Sequence, residues 1–312
     1  MASGKSALRP LLFRTARGLK KLEYWLVARL AMGALWICRL LPAEKALSLG
    51  EWVARRLGPL FGRHRVALAN LRAAYPEKPE EEIQQIASDM WAHMARLAVE
   101  YIYLAELFDF DPDNRGASRI EVDGEDIFLK LREEKKPHII FTAHMGNFEL
   151  LPIAAASFDL PVTALFRAPN NPYLADYILK ARRSSMGELL ASRAGVSFAL
   201  ARILERGGNI GVLVDQKFLR GVKTTFFGRP CLTSPLLPKL ARQYECGVYP
   251  ARSVRLPGNR YRLIVEDRLE LPRTPQGIVD VPATAQLLND VVERWVREDP
   301  AQWMWFHKRW SK

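Results

Sequence analysis

Cysteine is scarce in this 312-residue chain: Cys38, Cys231 and Cys246 are scattered, with no CxxC. An odd, dispersed set of thiols fits a reducing compartment and excludes both a disulfide framework and a structural zinc site. Long apolar runs are scarce too. The best is Trp25 to Leu41, interrupted by Arg29 and Arg39, short of the roughly 20 apolar residues of a clean membrane span. No small-residue cleavage site follows it in the manner of a secretory signal. There is no GxSxG elbow, P-loop or GxGxxG, so hydrolase, nucleoside-triphosphate and dinucleotide readings lack their motifs. Internal repeats and low-complexity stretches are missing as well. With 49% apolar residues, disorder is excluded and the core can be sizeable.

What is abundant is positive charge at one end. The net formal charge is +12, and residues 1–72 hold 14 Lys or Arg against Glu23, Glu44 and Glu51, so this quarter carries 14 − 3 = +11. Arginines near the ends of an apolar run can snorkel to headgroups, so Trp25–Leu41 reads as an in-plane amphipathic anchor or a marginal span, the in-plane form favoured. A basic, tryptophan-bearing segment suits an anionic membrane surface, each cation adding about 1 kcal/mol. Nucleic acid also attracts basic helices, but no recognition motif supports it and the apolar run opposes it.

Residues 11–75 read as helices broken at Pro42 and near Gly58-Pro59, followed by a helix from Pro79 to Leu107 and a polar connector from Asp109 to Arg119. From about residue 120, strands alternate with helices. Expected strands are His138–Thr142, Val162–Phe166, Ile210–Val214, Gly247–Val254 and Arg260–Val265; expected helices are Phe148–Ser157, Pro172–Ser185, Ser197–Arg206, Ser234–Gln243 and Ala283–Arg297. This alternation predicts an α/β fold with a mostly parallel central sheet and helices on both faces. The last two strands, joined through Pro257-Gly258-Asn259, predict a hairpin at an antiparallel sheet edge. The expected organisation is a membrane-anchoring helical segment over 1–75 and a catalytic α/β domain over 76–312.

The most informative residues lie where the strand His138–Thr142 stops: His144-Met145-Gly146-Asn147-Phe148-Glu149. Five positions apart on a regular helix, side chains point about 140° from each other. They converge if His144 sits in a strand-to-helix turn and Glu149 in the next helix's first turn, with Gly146 supplying the backbone freedom. A carboxylate bound to one imidazole nitrogen leaves the other to take a proton from a hydroxyl. Such a pair is more often structural than catalytic, but strand carboxyl ends are where α/β sheets bind ligands. Amides around Gly146 and Asn147 would offer a site for an oxyanion. Asp215, at another strand end, is a site residue or a cap, with Gln216 beside it. Arg167 follows Val162–Phe166. Lys180, Arg182 and Arg183, like Arg202 and Arg206, form basic patches that either steer an acidic partner or are solvated helix faces. The tryptophans 303, 305 and 310 read as core or interface anchors, and His64, His93 and His138 as structural or surface groups.

Taken in order, Ala69-Asn70-Leu71-Arg72 before Tyr75-Pro76, the His144–Glu149 pair, Asp215-Gln216, Phe226-Phe227-Gly228-Arg229-Pro230 and the segment Pro300 to Trp310 resemble the late acyltransferases of lipid A biosynthesis, the lauroyl/myristoyl type. The resemblance runs from about residue 20 to the C-terminus. It implies an enzyme of the glycerolipid-acyltransferase-like fold on the cytoplasmic face of a bacterial inner membrane. Such an enzyme would transfer a fatty acyl group from acyl carrier protein to a hydroxyl of a Kdo-bearing lipid A precursor, with no metal or cofactor. Glu149 stands where the wider superfamily often has Asp. The resemblance also favours Arg167 as a ligand for an acceptor phosphate or carboxylate. The alternatives are an acyltransferase on a lysophospholipid or glycolipid, or a non-catalytic membrane scaffold of the same fold.

Overall fold

The computed structural model describes residues 5–111, 118–134, 136–183 and 186–310. Proline sets the first breaks: α1 (Lys5–Arg39) ends ahead of Pro42, and α2 (Ala43–Leu57) ends in a 3-10 turn, Gly58–Leu60, built on Pro59. Then come α3 (Gly62–Ala74), α4 (Glu80–Glu100) and the short α5 (Leu104–Leu107). The α/β body follows as β1 (Ile120–Asp123), α6 (Glu125–Glu133), β2 (His138–Thr142), α7 (Leu150–Ser157), β3 (Val162–Phe166), α8 (Pro172–Arg183), β4 (Leu189–Ala191), α9 (Val196–Glu205) and β5 (Asn209–Leu213). It is completed by β6 (Val222–Phe226), β7 (Arg229–Thr233), α10 (Leu236–Tyr244), β8 (Gly247–Leu256), β9 (Arg260–Val265) and α11 (Val281–Glu298). Part of the expected Asp109–Arg119 connector lies outside the described residues.

Seven strands form one sheet in the order β1-β9-β8-β2-β5-β3-β4. Every pairing is parallel except β8–β9. The sheet is therefore mostly parallel, and its central strands are apolar on both faces, as burial between helical layers requires. In β2, Ile139 and Phe141 point into a core built with α3, α4, α9, α10 and α11, whereas Ile140 faces the core of α6 and α7. Residues 67–75 belong to the first of these cores. The hairpin β8–β9 forms as expected, but not at the sheet edge: β1, hidden in a polar stretch of sequence, adds beyond β9. A separate antiparallel pair, β6–β7, packs on α11.

The strands β2, β5, β3 and β4 lie side by side and run the same way. Their carboxyl ends form one continuous edge, from which the loops bearing His144, Arg167 and Asp215 leave. Among the described residues no helix is long and apolar enough to cross a membrane.

Candidate active site

The loop from β2 to α7 is shaped by one glycine. Gly146 has φ +56°, and a Cβ there would lie 2.1 Å from the Ser253 carbonyl oxygen of β8. Only glycine fits so close to a neighbouring strand. Its N–H donates to the Gln302 carbonyl at 3.1 Å. Asn147 is fully buried; its amide donates to Glu100 (3.0 Å) and accepts the Glu149 N–H (3.2 Å). Glu100 also accepts from Arg255 and Tyr261, so the loop rests on a buried ion pair between α4 and β8. The Gly146 backbone amide, expected to hold an oxyanion, is taken up by the Gln302 carbonyl, and the Asn147 side chain braces the loop.

The carboxylate that meets His144 is Asp215, not Glu149. In the β2–β5 register Thr142 pairs with Leu213, so two residues further on His144 and Asp215 face each other past the strand ends. The His144 ring Nδ1 is 2.8 Å from Asp215 Oδ1, and the His144 backbone N–H donates to Oδ2 at 3.0 Å. The Trp303 indole N–H donates to the same Oδ2 at 2.8 Å. Asp215 is buried, and burial alone would raise its pKa; the His144 charge and hydrogen bonds and the Trp303 donor reverse this and hold the carboxyl well below the usual carboxylate range. It stays ionised, holding the Nδ1 proton of His144 and leaving Nε2 to accept one. The Gln216 side-chain nitrogen lies 3.2 Å from that Nε2. His307, whose pKa is lowered chiefly by burial, accepts the Lys217 N–H at 3.0 Å through Nε2 and thereby holds the Asp215–Gln216 turn.

Glu149 occupies the N-cap position of α7, which begins two residues later than expected. Its carboxylate is bound by Arg182 of α8 and by the Tyr101 hydroxyl; the Arg182 Nε–Glu149 Oε2 distance is 2.9 Å. Burial of Arg182 works against its charge, but Glu149 outweighs that and raises its pKa. No hydrogen bond joins His144 to Glu149 among the described residues, so the expected His–Glu hydrogen bond is replaced by His–Asp and Glu–Arg. The two ends of the loop remain connected through Phe148, whose ring meets the imidazole edge-on at 5.1 Å.

Phe148, Glu149 and Arg182 line a pocket whose remaining walls are almost wholly apolar. It runs between the sheet and α6–α7, past Ile140, Leu151, Leu165 and Val212, toward Phe128 and Leu131. An apolar pocket with one charged pair in its wall suits a fatty chain carrying a polar head. Arg167 is exposed at the end of β3, and the Arg183 side chain lies outside the described residues. Trp303 and Trp305 are core residues, as expected, though Trp303 also serves the site through Asp215. Among the described residues, no group of three or more His, Cys, Asp or Glu is placed to hold a metal ion.

Sequence reasoning missed the Asp215–Trp303 contact and the partners of Glu149. Asp215 was visible as an acid at a strand end; only the adjacency of β2 and β5 makes it the partner of His144.

A histidine base held by a buried carboxylate beside an apolar slot has the parts of an acyl-transfer site. The chain belongs to the bacterial lipid A biosynthesis acyltransferase family, whose model matches residues 14–312. It is 24% identical over 298 residues to the lipid A biosynthesis lauroyltransferase of Escherichia coli K12, covering 93% of this chain and 92% of that protein. It is 22% identical to the palmitoleoyltransferase of the same strain over the same shares of both chains, and 26% identical to the myristoyltransferase over 82% of this chain and 79% of that one. The protein is thus an acyltransferase of lipid A synthesis, with a lipid A-type acceptor.

Proposed function

We propose that the protein transfers a fatty acyl group from the thioester of acyl carrier protein to a hydroxyl of a Kdo-bearing lipid A precursor at the cytoplasmic face of the bacterial inner membrane. The acyl chain lies in the apolar pocket and its thioester carbonyl sits at the mouth. His144 Nε2 removes the acceptor hydroxyl proton while the oxygen attacks the carbonyl carbon. The tetrahedral oxyanion collapses, the carbon–sulfur bond breaks, and His144 returns the proton to the thiolate, giving the ester and the carrier thiol. Asp215 fixes the imidazole tautomer and stabilises the imidazolium. Glu149 holds Arg182 where a cation can offset charge on the oxyanion, and Gln216 hands Nε2 over to the acceptor. Arg167 takes an anionic group of the acceptor.

Residues 1–75 provide attachment and 76–312 the chemistry, a division of labour in spite of the shared core at 67–75. Exposed Leu22, Leu26, Leu30 and Trp36 of α1 stand among Lys20, Lys21, Arg29 and Arg39, a composition suited to lying in an anionic interface. The observation that carries the reading is the His144–Asp215 hydrogen bond next to the apolar pocket. The test incubates purified protein with acyl carrier protein thioester and lipid A precursor and reads the product by mass spectrometry. An O-acylated precursor is expected, with His144→Ala at least about 100-fold slower. Acylation of a lysophospholipid but not of the precursor, or unchanged rates in His144→Ala, contradicts it.

A further inference from the structure

Outward from His144, three successive connections close the carboxyl edge of the sheet, after β5, β3 and β4. Each leaves an arginine and a large apolar side chain in solvent. The β5 connection presents Arg220 with Phe218 and Leu219, the latter 79% exposed. After β3 come Arg167 and, in the first turn of α8, Tyr173. After β4 come Arg193 and, in the first turn of α9, Phe198, 77% exposed. The sole acid in these connections is Asp215, which is buried against His144. The exposed side chains of this rim are therefore apolar, uncharged polar or cationic, and the neighbouring acid on α8, Asp176, is paired with Lys180 at 3.1 Å.

We propose that this rim is a second membrane-contacting surface, seated on an anionic lipid interface and placing His144 over the headgroups. The proposal rests on the membrane-borne acceptor of the preceding section. Aromatic and aliphatic side chains interleaved with arginine match the headgroup region, where apolar area and cations both gain. The β5 connection joins this surface directly to the site: Gln216 reaches His144 Nε2, the Lys217 N–H is bound by His307, and Phe218 follows at once. The amphipathic α1 converges on the same edge, because Asn171 in the β3 connection donates to the Tyr24 carbonyl at 2.8 Å and α1 packs on α8. The two lipid-facing surfaces are therefore continuous. A lipid acceptor could present its hydroxyl to His144 without leaving the bilayer.

The experiment places a polarity-sensitive dye on Phe218→Cys or Phe198→Cys, with Ile278→Cys, exposed in the segment after β9, as reference. The three native thiols are buried and stay unlabelled. Phosphatidylglycerol vesicles should blue-shift the dye at 218 and 198 and leave 278 unchanged. Equal shifts at all three positions, or no shift at the rim while the protein co-floats with vesicles, overturn the proposal. A shift produced by acyl carrier protein without vesicles also overturns it and assigns the rim to the donor. In a second arm, Phe198→Ser/Phe218→Ser/Leu219→Ser should act about tenfold more slowly on acceptor in vesicles, yet within about twofold of wild type in detergent micelles. Equal losses in both formats contradict it. If wild-type protein is inert in both, the acyl-transfer reading fails while the dye result still decides the surface.

Discussion

The two ends of the β2–α7 loop handle a buried carboxylate differently. At one end Asp215 accepts from neutral or titratable donors: the His144 ring and amide and the Trp303 indole. At the other, Glu149 is bound by the permanent cation Arg182 and by Tyr101. In the first, an ionised acid with no permanent counter-charge can support a passing imidazolium. The second fixes a cation in the wall of an apolar pocket. A histidine and an acid at a suggestive spacing need not bond to each other.

That contrast breaks most sharply at Asp215. The Asp215→Asn side chain keeps its shape, but its oxygen must face the two N–H donors from Trp303 and the His144 backbone. Its NH₂ then faces Nδ1 and forces the proton onto Nε2. The base loses its lone pair toward the hydroxyl, and kcat should fall about 10²–10⁴-fold with little change in the acceptor KM. Glu149→Gln should leave the His144 tautomer intact. It strips a buried arginine of its counter-charge, so thermal or urea unfolding should show a loss of about 3–5 kcal/mol, accompanied by a loss in rate of about tenfold.

Smaller effects sharpen the comparison. Trp303→Phe removes one donor from Asp215. A carboxyl with a depressed folded pKa contributes stability above its unfolded pKa and loses it as pH falls through the folded value. Removing the donor raises that folded value, so the pH-dependent part of the Trp303→Phe destabilisation should be about 1 kcal/mol at neutral pH and should vanish, by urea unfolding, as pH falls through the folded value. His93 lies outside the site as a reference. Burial lowers its pKa from 6.5 to about 4, so its neutral form is favoured on folding. Stability it supports above about pH 6.5 is lost as pH falls toward 4, because the unfolded chain takes up the proton first. His93→Gln should flatten unfolding free energy against pH in that window by about 1–3 kcal/mol, with activity at neutral pH little altered.

The ends of β2, β3 and β9 coincide with the expected strands because turn residues and β-branched runs mark them locally. The hairpin β6–β7 did not announce itself. Its turn places Phe227 (φ +53°) and Gly228 (φ +65°) in the left-handed region, a job usually signalled by Asn-Gly or Asp-Gly. Phe227 holds it through tertiary contacts, its ring packing on Tyr75 at 5.2 Å and Trp305 at 5.6 Å. β1 and β4 are four and three residues long and carry too little periodicity to stand out. At the site, His144, Glu149, Asp215 and Gln216 were all legible as candidates. Their partnership was not, because it depends on which strand lies beside β2, a fact set by packing hundreds of side chains at once.

The most direct measurement is the tautomer of His144, read by ¹⁵N NMR of histidine-labelled protein in three forms: wild type, Asp215→Asn and Glu149→Gln. An Nδ1-protonated imidazole is expected in wild type and Glu149→Gln, switching to the Nε2-protonated form in Asp215→Asn. A switch in Glu149→Gln with none in Asp215→Asn would return the partnership to Glu149 and contradict it.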